Sequence, residues 1–285
     1  MKKTFTYYPG CSLASTGVEF DQSVRAVFER LSVTLQELED WSCCGASSAH
    51  SINRELSLAL PARNLALAQP LGQDMVIPCA ACFNRHKTAD YEIRKDAAKR
   101  QVMEAMFDFQ FTGEVAVRPL LDIVINQVGL QEIKANVVKP LNGVKAVSYY
   151  GCLLVRPPEI TCFENPDHPV YMDQILETIG VEARPWSYAT ECCGGGLSLT
   201  KADIAAKLVN RLVEHAAEAG AEIMVTSCPL CQINLEMRQT SVSKKMPIIY
   251  FTEALGLAFD CPEAPAWMRK HLIDPRRYLS SLGLL

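Results

Sequence analysis

The chain has 285 residues, 49% of them apolar and 21% charged, and a formal net charge of −4. That is the profile of a soluble globular protein with one large domain or two ordinary ones, and it gives no electrostatic case for a nucleic-acid partner. No apolar run approaches the roughly 20 residues that span a bilayer. The opening "MKKTFTYYPGC" lacks the apolar core of a leader peptide, so a cytoplasmic location is expected.

The elements alternate. "KTFTYYP" reads as a strand that ends at Cys11. Phe20, Val24, Val27, Phe28 and Leu31 then share one helical face. "VTLQEL" is a second strand leading to Cys43 and Cys44. Residues 51–69 read as helical, with Pro61 expected to kink or interrupt them. "DMVIP" is a third strand, ending at Cys79 and Cys82. From about 86 to 140 a charged helical linker follows, with helix patterns around "DYEIRKDAAKRQVMEAMFDF" and "LLDIVINQVGL". "VKAVSYY" starts the series again at Cys152. Residues 171–179 read as a helix and "VEARPW" as extended. Residues 201–219 read as a helix with Ile204, Leu208, Val209 and Leu212 on one face, and "EIMVT" is the third strand of this half. The tail "APAWMRKHLIDPRRYLSSLGLL" reads as a helix and an apolar end, equally able to cap this chain or dock a neighbour.

The chain is therefore written twice. The first half has the spacing C-x31-CC-x34-C-x2-C and the second C-x39-CC-x34-C-x2-C, and ten of the twelve cysteines obey the pattern. The eight extra residues of the second half belong in the proline-rich stretch 156–169. Cys162 and Cys261 are left over and read as lone thiols. Strand and helix alternating at this spacing predict α/β architecture: two pseudo-repeated βαβ-type subdomains with parallel sheets, residues 1–140 and 141–285. Each group of cysteines falls where a strand ends, the rim where open parallel sheets place their sites. The glycines after each pair, Gly45 and Gly194 to Gly196, permit a tight turn there.

Twelve cysteines in a reducing compartment point to metal or redox chemistry rather than a disulfide framework. Five thiolates at one rim exceed the four that a zinc ion or a cubic iron–sulfur cluster takes. Spacing alone stops at a thiolate-rich metal centre, present twice. A zinc module that organises a complex is the reading the adjacent cysteines and five-ligand sets disfavour.

The two complete motifs, with their "YYPGC" and "YYGC" lead-ins and the "CCGGG" of the second, resemble the paired CCG domains of the heterodisulfide reductase B subunit over nearly the whole chain. The resemblance implies two non-cubane 4Fe-4S clusters. Cys11, Cys43, Cys44, Cys79 and Cys82 would hold one, and Cys152, Cys192, Cys193, Cys228 and Cys231 the other. It implies an oxidoreductase that cleaves a disulfide, of the coenzyme M–coenzyme B type, in a cavity between the clusters. Electrons would come from an iron–sulfur partner like the C subunit of those enzymes, fed by a flavin partner like their A subunit. The alternative is an iron–sulfur electron-transfer component of a dehydrogenase or quinone-linked complex without disulfide chemistry. Arg156 and His50 are the candidate residues for an anionic substrate arm, because their loops should border the cavity. Arg85, His86 and Lys87 read as solvated surface.

Overall fold

In the computed structural model, residues 3–46 and 49–285 are described. Met1 and Lys2, where the leader-peptide reading begins, and Ser47 and Ser48 of the first CCG loop lie outside them. The chain forms two four-stranded sheets, all parallel. The first contains β1 (Lys3–Tyr7), β2 (Val33–Glu37), β3 (Met75–Ile77) and β4 (Val117–Pro119), in the order β2-β1-β3-β4. The second contains β5 (Lys145–Tyr149), β6 (Glu182–Ala183), β7 (Ile223–Thr226) and β8 (Ile248–Tyr250), in the order β6-β5-β7-β8. The registers run Lys3↔Val33 to Tyr7↔Glu37 in one and Ala146↔Ile223 to Tyr149↔Thr226 in the other. The central strands β3 and β7 are buried along their whole length, as strands covered by helices on both faces must be.

In each half the chain leaves the first strand on one side and returns across it to the third. The first and third strands therefore flank a switch point, where neighbouring connections diverge and leave a crevice. Cys11 and Cys79 follow the two strands of the first crevice, and Cys152 and Cys228 those of the second.

Four details depart from the sequence reading. Each sheet has a fourth strand, β4 or β8, that periodicity missed. Both are three residues long and at a sheet edge, and β4 ends in Pro119, which an edge strand tolerates because no ladder bond needs its missing N–H. Pro61 does not interrupt its helix, which runs Arg54–Ala68 with Pro61 buried inside it. The charged stretch splits in two at Asp96, whose carboxylate accepts bonds from the amides of Ala98 and Lys99 and so caps helix Ala97–Phe107. Helix Ala202–Glu218 buries Ala205, Val209, Leu212, Val213 and Ala216, and leaves Ile204 exposed. The small Ala205 faces the core because the CCG loop presses on it: a Cβ on Gly194 would lie 3.1 Å from its Cα.

The halves share a core and interlock. Phe20 stacks on Tyr250 with ring centroids 4.0 Å apart, and the Ser23 and Thr252 hydroxyls meet at 2.7 Å. Asn84 Nδ2 donates across the junction to the carbonyls of Leu153 and Arg156. The tail caps its own chain. Helix Ala264–Met268 packs against helices Val18–Arg30 and Phe251–Ala258, with Trp267 buried. Gly256 makes that contact possible, since a Cβ there would stand 2.5 Å from Trp267 Cζ3. Gly256→Ala should therefore lower stability by about 1–3 kcal/mol through overpacking, read as a lower urea midpoint with an unchanged slope.

Candidate metal centre

The cysteines of the repeats gather at the two sheet rims, in two groups that meet. Cys44 Sγ lies 3.2 Å from Cys82 Sγ, and Cys43 and Cys79 adjoin these two. In the second half Cys152 adjoins Cys192, and Cys231 adjoins both Cys193 and Cys228. The halves meet where Cys79 and Cys228, the first cysteines of the two C-x-x-C turns, come within hydrogen-bonding reach of each other. Among the described residues, no three His, Cys, Asp or Glu side chains are arranged to hold a single metal ion.

The adjacent pairs span the depth of each site. Cys43 and Cys192 are exposed, whereas Cys44 and Cys193 are buried. Neighbours in the chain thus send one sulfur outward and one inward, which a spaced C-x-x-C on a helix does not do. Cys11 is exposed and Cys152 half-buried, so they join the outer layer; Cys79, Cys82 and Cys228 join the inner one. The turn behind each pair needs glycine. Gly45 and Gly194 have φ of +74° and +78°, and each sends its amide back to the sulfur two residues earlier, at 3.4 and 3.3 Å.

The C-x-x-C groups sit on helix N-termini. Cys79 and Cys228 are the extended N-cap residues of helices Ala80–Lys95 and Pro229–Met237, and Cys82 and Cys231 lie in their first turns. Free amides and the helix dipole favour negative charge there. Sulfur crowding then divides the protons unevenly. Hydrogen bonds from Cys43 and Cys82 bring the Cys44 thiol down to about 3, and one from Cys152 brings Cys192 down to about 6. Cys228 is held well below the ordinary thiol range by bonds from Cys231 and Cys79. Each site thus holds part of its sulfur as thiolate, the form that binds metal, while Cys43, Cys79, Cys82, Cys152 and Cys231 are pushed up by their neighbours and keep their protons.

Two tyrosines fix the approach to the pairs. Tyr8 Oη donates to the carbonyl of Ser42, and Tyr149 Oη to that of Glu191. Each acceptor immediately precedes a cysteine pair, so a strand-end tyrosine positions the loop in either half. In the first half Asn64 adds to this. Its amide exchanges bonds with the backbone of Ser42 and meets His86 Nε2 at 3.1 Å, while His86 Nδ1–H donates to the Cys82 carbonyl. His86 is fully buried, which corrects its reading as surface; in that triplet only Arg85 and Lys87 reach solvent, and both are half-buried. The signal available in sequence was its place one turn after Cys82 on the same helical face. The second half has no counterpart, since Leu235 stands one turn after Cys231.

Of the basic candidates, Arg156 lies one turn beyond Cys152, with its guanidinium 3.2 Å from Asp167. His50 is exposed in the short helix Ala49–Ile52, and its neighbour Ala49 packs behind Gly45. Cys162 is exposed and Cys261 buried, and neither belongs to the array.

Behind the second C-x-x-C helix lies a buried ionic cluster. His271 Nε2 is 3.0 Å from both carboxylate oxygens of Glu253, and Nδ1 is 3.3 Å from Glu236 Oε1 and 2.9 Å from the Gln232 amide. Glu19, itself raised by burial, faces the same cluster. Burial alone would lower the imidazole pKa, but Glu253 and Glu236 outweigh it and push His271 up to about 10.

The family model for the CCG cysteine-rich domain matches residues 5–85 and 146–236. The chain is 30% identical to the 8-methylmenaquinol:fumarate reductase membrane anchor subunit of Wolinella succinogenes, over 96% of this chain and 98% of that one. It is 24% identical to the B subunit of the ferredoxin:CoB-CoM heterodisulfide reductase of Methanosarcina mazei, over 87% of each chain. It is 28% identical to a protein of Archaeoglobus profundus described as like the heterodisulfide reductase B subunit, over 90% of this chain and 91% of that one. The fold matches the crystal structure of a hypothetical protein from Helicobacter pylori with a TM-score of 0.71 at 10% identity; 94% of this chain is covered, and it spans about half (51%) of that one. No helix of the described residues is long and apolar enough to cross a membrane.

The His271 cluster carries a pH test. Its folded pKa lies above the unfolded value of about 6.5, so its stabilisation is complete below pH about 6.5 and is lost as pH rises through about 10. The urea midpoint should fall over that interval. In His271→Gln the fall should shrink, and at pH 7 stability should drop by about 3–5 kcal/mol, because buried carboxylates lose their partner.

Proposed function

Because this chain belongs to the CCG cysteine-rich domain family, we propose that it is the catalytic subunit of a heterodisulfide reductase-like complex, an oxidoreductase that reduces a disulfide to two thiols. The observation that carries the reading is the gathering of the repeat cysteines at two rims that approach each other at Cys79 and Cys228.

The donor set fits two iron–sulfur clusters. Cys11, Cys43, Cys44, Cys79 and Cys82 would hold one, and Cys152, Cys192, Cys193, Cys228 and Cys231 the other. Each set offers five soft thiolates spread over an inner and an outer layer, which suits a non-cubane 4Fe-4S cluster better than one tetrahedral zinc. Bound there, the clusters would supply the two electrons that, with two protons, convert RSSR′ to RSH and R′SH. The protein residues do the positioning. Tyr8 and Tyr149 hold the pairs at their depth, and the helix N-termini at Cys79 and Cys228 stabilise negative charge on the inner sulfurs. The outer layer of Cys11, Cys43, Cys152 and Cys192 leaves a solvent-facing side for a small disulfide to approach. An iron–sulfur partner and a flavin partner like those of heterodisulfide reductases would deliver the electrons, and a cytoplasmic setting suits the reduced thiols.

A second reading is favoured by the 30% identity to a component of a quinol:fumarate reductase. In it the same clusters pass electrons within a quinone-linked complex, and no disulfide is cleaved. Iron, acid-labile sulfide and zinc per chain, measured on protein purified without oxygen, test the cluster assignment. About eight irons with as much sulfide are expected; zinc without sulfide would end the iron–sulfur reading. A thiol that alters the cluster's electron paramagnetic spectrum would favour the disulfide reductase over the electron carrier.

Arg156 and His50 are proposed to bind an anionic arm of the substrate, Arg156 by exchanging its exposed partner Asp167 for the ligand. Arg156→Ala should raise KM about tenfold and leave the iron content unchanged; an unchanged KM removes Arg156 from the site.

A further inference from the structure

A cavity of about 540 Å³ lies outside the cysteine array, between helices Arg54–Ala68, Ala80–Lys95 and Ala97–Phe107. Its size falls within the range of small-molecule sites, roughly 300–1,000 Å³. Leu58, Ala89, Val102, Met103 and Met106 make an apolar wall. Val102 and Met106 are each 54% exposed although they are large apolar side chains on one helical face, so this wall is partly uncovered. Methionine suits a wall that adapts to differing ligands, because its unbranched thioether repacks easily.

The charges are unevenly matched. Lys99 is engaged by Glu92 and Asp96. Arg54 and Arg85 line the same cavity and form no ion pair among the described residues, with Glu55 as the one lining carboxylate not so engaged. Arg85 is the informative one. It is half-buried, and its Nε is sealed from solvent without a hydrogen-bond partner among the described residues. An unpaired guanidinium donor is costly to bury, so the position calls for an acceptor. Arg85 also stands one turn beyond Cys82.

We propose that this cavity is a second ligand site, for an amphiphile with an anionic carboxylate or phosphate end seated on Arg85 and Arg54 and an aliphatic body lying on Leu58, Val102, Met103 and Met106. The guanidinium fork supplies charge-assisted bonds that neither head group would find elsewhere on this wall. The apolar face supplies affinity through burial. The proposal does not rest on the redox reading, since it needs only the three helices and their side chains.

Calorimetric titration of the intact, anaerobically purified protein tests it. The probes are octanoate and octyl phosphate below their micelle concentrations, with inorganic phosphate and octyltrimethylammonium as contrasts. One octanoate or octyl phosphate should bind per chain, and the tighter of the two identifies the head group. Inorganic phosphate should bind at least tenfold more weakly, and the cation not at all. Arg85→Gln should weaken binding tenfold or more. Val102→Glu, at a half-exposed position that spares the fold, should do the same through the apolar wall. Failure of both anions to bind, equal binding of the cationic amphiphile, or unchanged affinity in Val102→Glu would overturn the proposal.

Discussion

Sulfur crowding is the constraint on which the rest of this structure depends. Ten thiols are gathered at the ends of two parallel sheets, half of them buried. Thiolates placed together in a poorly polarisable interior repel one another, and burial penalises each charge further. The thiols answer by sharing protons among themselves: Cys44, Cys192 and Cys228 have lowered pKa values chiefly because neighbouring thiols donate to them, with backbone amides adding to the effect. Soft cations remove the conflict outright. The helix N-termini, the glycine amides and the tyrosine clamps all hold negative sulfur in place for such a cation.

The two halves are related but not equivalent. Tyr8 and Tyr149, Gly45 and Gly194, and the paired N-cap cysteines repeat faithfully. Around that shared frame the supports differ. The first site leans on Asn64 and buried His86. In the second, Asn234 bonds the Cys193 carbonyl at 2.7 Å and is itself held by Arg238 at 2.9 Å. The second C-x-x-C helix also rests on the His271 cluster, which draws the C-terminal segment into the same network through Leu272 N and Glu236. Iron–sulfur clusters bound in such different surroundings would have different potentials, because nearby hydrogen bonds and charges tune a cluster. A pair of unequal centres suits either proposed role, whether electrons end on a disulfide or pass onward.

The interlock of the halves explains why the repeat is fused rather than split. Asn84 reaches from the first C-x-x-C helix to the loop after Cys152, and Phe20 stacks on Tyr250 near the second. The first half therefore completes the surroundings of the second half's cysteines. The approach of Cys79 to Cys228 depends on the two halves packing around a shared core.

Residue type and spacing in the chain determined the doubling, the ten cysteines, the strand-to-cysteine order and hence the parallel α/β class, because periodicity and turn chemistry are local. The edge strands β4 and β8 were not legible, since three residues carry no period and pair only because a neighbour offers a free edge. Ile204 was misjudged because the second CCG loop packs against its helix at Ala205, and that packing, not helix periodicity, decides what is buried. Only the tertiary structure decided that one sulfur of each adjacent pair faces out and the other in, that His86 is structural, and that the tail caps its own chain. It alone placed Cys79 against Cys228, because that contact joins residues far apart in sequence, and no local pattern records which surfaces two folded halves will share.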